Sequence, residues 1–212
     1  MAVYDLEEQE KLDDLKAWWL QYGKYVGMAF GLVAAILAAT IAWRWYQQGQ
    51  SAQASVLYQA VSQAAHDNDI AKAKEPAGQI EEKFGGTAYA PRAALMYAKL
   101  LNDAGDHAGA RAQLQWVIDH ASEDELKSIA RFRLAESLLD DKQYDAALVV
   151  LDAKTDEPFA GLFADLRGDV LSAAGKPNEA KAAYGVALSK IDPKSPYRNF
   201  VQVKFDALGG AK

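Results

Sequence analysis

Three histidines, His66, His107 and His120, are the residues of this chain best suited to acid–base chemistry or metal ligation. They lie far apart, without the close helical or turn spacing of metal ligands, and read as surface or capping histidines. The chain has no cysteine, which removes disulfides, thiolate zinc sites and thiol catalysis together. No hydroxyl nucleophile is paired with a histidine in a familiar hydrolase signature, and no glycine-rich phosphate loop follows a strand pattern. Arg167-Gly168-Asp169 spells an adhesion motif, but it falls inside a helical pattern in which Gly168 is a packing position. The numerous Asp and Glu residues fall mostly on polar helix faces, where they are solvated. These patterns predict no enzyme, no cofactor and no metal site. A net charge of −6 and a pI near 5.1, with no basic cluster, argue against nucleic acid as a partner. Binding through helices is the chemistry that remains.

The first element that positions such binding is a membrane anchor. Positions 25–43 carry no charge, and Lys24 and Arg44 bracket them. At about 1.5 Å per residue a helix of that length matches the roughly 30 Å hydrocarbon layer. Trp18, Trp19, Tyr22 and Tyr25 precede it, and Trp43, Trp45 and Tyr46 follow, as rings at the two headgroup levels do. A cleaved signal peptide has a basic start and a shorter apolar core. Here Asp5, Glu7, Glu8, Glu10, Asp13 and Asp14 outnumber the early lysines. Lys11, Lys16 and Lys24 before the span against Arg44 after it predict a cytoplasmic tail at 1–24, a transmembrane helix at 25–43 and an exterior part at 44–212. Within the span Gly23, Gly27, Gly31, Ala35 and Ala39 recur every fourth residue, a small-residue stripe on which a second helix, from another protein or another copy, packs closely. Leu12, Leu15, Trp19 and Tyr22 share one face and suggest a short amphipathic helix on the inner membrane surface, before the chain turns into the bilayer, with a plain polar tail as the alternative.

The exterior part repeats itself. Ala98, Leu101, Gly105, Ala110 and Leu114 form a first set of anchors; Ala135, Leu138, Lys142, Ala147 and Leu151 a second; Gly168, Leu171, Gly175, Ala180, Tyr184 and Ala187 a third. Small first and fourth anchors let two antiparallel helices approach, leucines fill the seam, and glycine in two of the three turns supplies a left-handed conformation. Ser122 with Glu125 predicts a capping box at the start of the second unit. Residues 56–84 predict a further, degenerate helix pair, broken around Asp67-Asn68-Asp69 and at Pro76. Residues 197–205 predict a closing helix.

This pattern is similar to the tetratricopeptide repeat, a helix-turn-helix unit of about 34 residues. The predicted fold is all-α: one transmembrane helix followed by a tetratricopeptide-like solenoid. The resemblance implies a concave groove lined by the first helix of each unit. Arg92, Leu95, Lys99 and Asn102 would come from the first unit, Phe132, Glu136 and Leu139 from the second, and Asp165, Asp169 and Ser172 from the third. Such a mixed groove suits a peptide segment or a helix of another protein, the alternative being that these side chains make surface or inter-repeat contacts.

Two further stretches narrow the resemblance. The membrane flanks Leu15-Lys16-Ala17-Trp18-Trp19, Tyr22-Gly23-Lys24 and Trp43-Arg44-Trp45-Tyr46, with Leu57-Tyr58-Gln59-Ala60-Val61 and Ala164-Asp165-Leu166-Arg167-Gly168-Asp169, resemble the YfgM-like family, ancillary subunits of the SecYEG translocon. That resemblance covers almost the whole chain. It implies an inner-membrane protein with a periplasmic repeat domain. It also implies association with SecYEG and with a membrane-anchored periplasmic chaperone of the prolyl-isomerase type, and a role in handing newly translocated client proteins to chaperones. A self-associating homo-oligomeric scaffold for envelope assembly or division is the alternative function.

Overall fold

The computed structural model describes residues 2–153 and 155–209, with side chains from residue 11 onward. The described residues are helical throughout apart from turns and short connections. The chain divides into two compact units, Met1–Gly49 and Gln50–Lys212.

Helix α1, Ala2–His66, supplies the described part of the first unit and the opening helix of the second. Its apolar stretch reaches a mean hydropathy of 2.1 with none of it buried in the protein, as a helix meant for lipid requires. The expected turn between an interfacial helix and the span is absent. Residues 12–22 continue into the span as one helix, with Lys16 bonded to Asp13 at 3.0 Å and the Trp18 and Tyr22 rings 5.7 Å apart along one face. No proline or helix-ending glycine geometry interrupts the ladder there, so nothing breaks it.

The second unit is a stack of helix pairs. The end of α1 pairs with α2 (Ile70–Phe84), α3 (Tyr89–Asp103) with α4 (His107–His120), α5 (Asp124–Asp140) with α6 (Tyr144–Leu151), and α7 (Ala160–Ala173) with α8 (Pro177–Lys190). Helix α9 (Tyr197–Ala207) closes the stack against α8. One turn geometry builds all four pairs. Asn68, Gly105, Lys142 and Gly175 take positive φ, at 53°, 84°, 60° and 74°. The next residue in each case donates its N–H five residues back: Asp69 to Ala64, Asp106 to Leu101, Gln143 to Leu138 and Lys176 to Leu171, at 2.8 to 2.9 Å. This left-handed cap satisfies the last carbonyls of one helix while aiming the chain into the next. Asp69 and Asp106 then cap the following helices, accepting from the N–H groups of Lys72 at 3.0 Å and Gly109 at 2.9 Å.

The register makes residues 61–77 a full member of the repeat. Val61, Ala64, Ala73 and Ala77 occupy the anchor positions and are buried. Pro76 does not break it. It lies inside α2, where Ala73, Ala77, Ile80 and Phe84 bury one continuous face that offsets the hydrogen bond a proline lacks. The predicted capping box also fails to form. Helix α5 starts at Asp124 with Glu123 at its cap and no side-chain bond to the helix, because the Glu123 carboxylate is engaged by Arg92.

Each pair is held by its seam, and successive pairs share apolar clusters. Val61, Ile80, Ala93 and Leu101 belong to one; Ala98, Leu114, Leu134 and Phe163 to the next; Leu171, Tyr184, Ala187 and Val201 to the last. At Gly168 a Cβ would stand 2.3 Å from the Tyr184 ring, so the small anchor is required for α7 to meet α8.

Candidate protein interface

Ten side chains expected to line a groove meet three different fates. Lys99, Asn102 and Ser172 are exposed: Lys99 pairs with Asp103 one turn on, and Asn102 accepts or shares a hydrogen bond with His107 Nδ1 at 3.0 Å. Leu95, Phe132 and Leu139 are half-buried against the central apolar cluster, Phe132 in ring contact with Phe163 at 6.0 Å. They contribute edges to a surface whose bulk supports the fold.

Arg92, Asp165 and Asp169 bind the stack to itself, whereas Glu136 pairs within its own helix. The Arg92 guanidinium donates to both Glu123 oxygens at 2.9 and 2.7 Å and to the Ala88 carbonyl at 2.6 Å. That bidentate geometry fixes the start of α5 against α3. The hydrogen bond from Arg92 holds the Glu123 carboxyl below its ordinary pKa and raises that of the guanidinium. Arg111 reaches Asp141 and Arg167 reaches Asp152 in comparable bridges between neighbouring helices. Glu136 takes a bond from Arg133 at 2.9 Å.

Asp165 requires correction as a groove residue. It is 2% exposed, because α9 covers it. Lys204 donates to both Asp165 oxygens at 3.1 and 3.0 Å and to Asp169 at 2.7 Å. Tyr197 donates to Asp165, and Tyr184 to Asp169 at 2.8 Å. Burial first, then the carboxylate each one donates to, pushes both phenols well above the usual tyrosine pKa. Burial pulls Lys204 down, but its bonds to Asp169 and Asp165 outweigh that and hold it above the ordinary lysine value. The two carboxylates, one turn apart on α7, are therefore the receptor for the closing helix. Tyr197 and Lys204, seven residues apart on one face of α9, were the sequence signal for this clasp.

The histidines are scattered as their spacing implies. His66 ends α1 in solvent, and His120 stacks on Trp116 with centroids 4.6 Å apart. In the anchor, Gly27 and Gly31 have nothing within 4 Å of where a Cβ would stand, and Ala35 and Ala39 are exposed; at Gly23 the Trp19 ring comes to 3.2 Å. The stripe is thus an uncovered helix face over most of its length.

The family model for a tetratricopeptide repeat-like domain matches residues 16–210. An ancillary SecYEG translocon subunit of Neisseria gonorrhoeae is 33% identical over 98% of this chain and 100% of its own length. The proteins of the same description from Escherichia coli and Haemophilus influenzae are 30% and 31% identical, over 98% and 86% of this chain and 99% and 89% of theirs. The matches span almost the whole chain, so it belongs to the family of ancillary SecYEG translocon subunits with a tetratricopeptide repeat-like domain.

Proposed function

We propose that the chain is a single-span accessory subunit of the SecYEG translocon, with its tail at 1–24 in the cytoplasm and its repeat domain in the periplasm. There it holds newly translocated proteins close to a membrane-anchored chaperone of the prolyl-isomerase type. The observation that carries the reading is the full-length match to proteins named as ancillary translocon subunits. Two features of the chain agree with it. Three lysines precede the span against one arginine just after it, which favours the tail inside. The face at Gly27, Gly31, Ala35 and Ala39 is free to pack on a channel helix, where close backbone approach is the main source of attraction. The repeat domain offers Lys99, Asn102 and Ser172 as its open polar groove positions, with Leu95, Phe132 and Leu139 as apolar edges.

Photo-crosslinking in living cells tests this reading, with a probe placed in turn at Ala35 and Asn102. Channel-subunit adducts from Ala35, together with chaperone or secreted-protein adducts from Asn102, are expected. Gly27→Leu with Gly31→Leu should abolish the first set and leave the oligomeric state alone. Self-adducts alone from Ala35, with no adduct from Asn102, would overturn it in favour of a self-associating envelope scaffold.

A further inference from the structure

The repeat register exposes one packing face that the other units keep covered. Five residues before the first anchor of each unit stand Val56, Ala93, Ala130 and Phe163. Ala93, Ala130 and Phe163 are 1%, 0% and 4% exposed, whereas Val56 is 65% exposed. The burial has the same source each time: Ala93 lies in one cluster with Ala77 and Ile80 of α2, Ala130 with Leu114 and Val117 of α4, and Phe163 with Leu151 of α6. In each case the second helix of the preceding unit lies over the first helix of the next. Val56 is on the first helix of the first unit, and no described helix occupies the corresponding place. Beside it an open groove of about 660 Å³ runs between α1 and α2, lined by Leu57, Ala60, Ala64 and Pro76.

We propose that this face receives one amphipathic helix from another protein, which continues the stack as a second helix of a unit preceding the first. The occupant's chemistry is written in the helices that fill the same place elsewhere. Ala77, Ile80 and Phe84 are buried along α2, and Leu114, Val117 and Ala121 along α4 and at its cap, the same i, i+3, i+7 spacing at the same register. A helix with that apolar spacing fits Val56, Leu57 and Ala60, with a small residue over Val56 where the side chain is larger than Ala93 or Ala130. Charge sets its flanks. Lys72 on the rim is already paired with Asp69 at 2.9 Å, while the Asp67 and Glu75 carboxylates take amide bonds from Gln63 and Gln79. A basic residue on the incoming helix meets them. Apolar seam and acidic rim together describe a helix-in-groove contact. The inference stands on the repeat register and is independent of which membrane complex the chain joins.

The test places a photo-reactive side chain at Val56 in the full-length protein in cells, with Val149, also exposed, as control, and maps the crosslinked segment by mass spectrometry. The expected adduct is to a different protein, at a helical segment apolar at i, i+3 and i+7. Ala60→Glu, at an exposed position that leaves the fold's unfolding transition in place, should cut its yield about tenfold, the loss expected for a charge set against an apolar seam. Adducts no stronger than at Val149, adducts to a second copy of this chain, adducts to an extended segment, or indifference to Ala60→Glu would each overturn the proposal.

Discussion

Lys204→Met removes the cation that, among the described contacts, serves both α7 carboxylates, while keeping most of the side-chain volume. Asp165 would be left 2% exposed with the Tyr197 hydroxyl as its remaining partner from α9, and Asp169 would keep Tyr184. Removing one partner of a fully buried ion pair costs about 3–5 kcal/mol, since the other charge stays buried and uncompensated. Lys204 is itself 35% exposed at the side chain, so water takes over part of its role and the expected cost is about 2–3 kcal/mol. The loss should be local. Helix α9 buries Val201 fully, far less than the helices inside the stack, and it can open without them. Hydrogen exchange of the full-length protein in detergent, read amide by amide, measures it. Exchange in Val201–Phe205 should accelerate about 30- to 150-fold, the equivalent of 2–3 kcal/mol, with α3 and α4 unchanged. Adding Asp165→Asn should recover part of that protection, because a neutral amide no longer demands a cation. Acceleration within about twofold of wild type would show that apolar packing, and not the clasp, holds α9, and equal acceleration in every helix would show that α9 is not a separable element.

Gly168→Ala should destabilise the stack by about 2–3 kcal/mol in urea unfolding, since its Cβ meets the Tyr184 ring at 2.3 Å and that ring is tethered to Asp169. Lys142→Gly should raise stability by up to about 1 kcal/mol, because Lys142 holds φ 60° where the equivalent turns use Gly105 and Gly175. Glu123→Gln should flatten the acid limb of the stability–pH curve. The carboxyl titrates lower in the folded protein, so its contribution is present above the ordinary glutamate pKa of about 4.3 and disappears as pH falls through the depressed folded value.

The anchor and the repeat could be read in the sequence because both are written in local periodicity. An uncharged stretch at 25–43 between Lys24 and Arg44 admits one structure in lipid, and the anchors at Ala98, Ala135 and Gly168 recur with their turns at fixed offsets. The first unit was harder to see, since Asn68 stands for the usual glycine and Pro76 looks like a break. Its buried face overrules both signals. One expected groove position was misread: Asp165 shares its offset from the anchor with the half-buried Leu95 and Phe132, and the return of α9 is what buries it fully.

Sequence alone therefore determined what depends on neighbours a few residues apart: the helices, the left-handed turns between them, the small packing positions and the charge asymmetry around the span. Tertiary structure decided what depends on which helix lies over which. It committed Arg92 to Glu123, Asp165 and Asp169 to Lys204, and left Val56 bare while burying Ala93, Ala130 and Phe163. The physical reason is that periodicity fixes the face a side chain takes on its own helix, whereas its partner is set by packing between segments distant in the chain, where burial and hydrogen bonding are settled together.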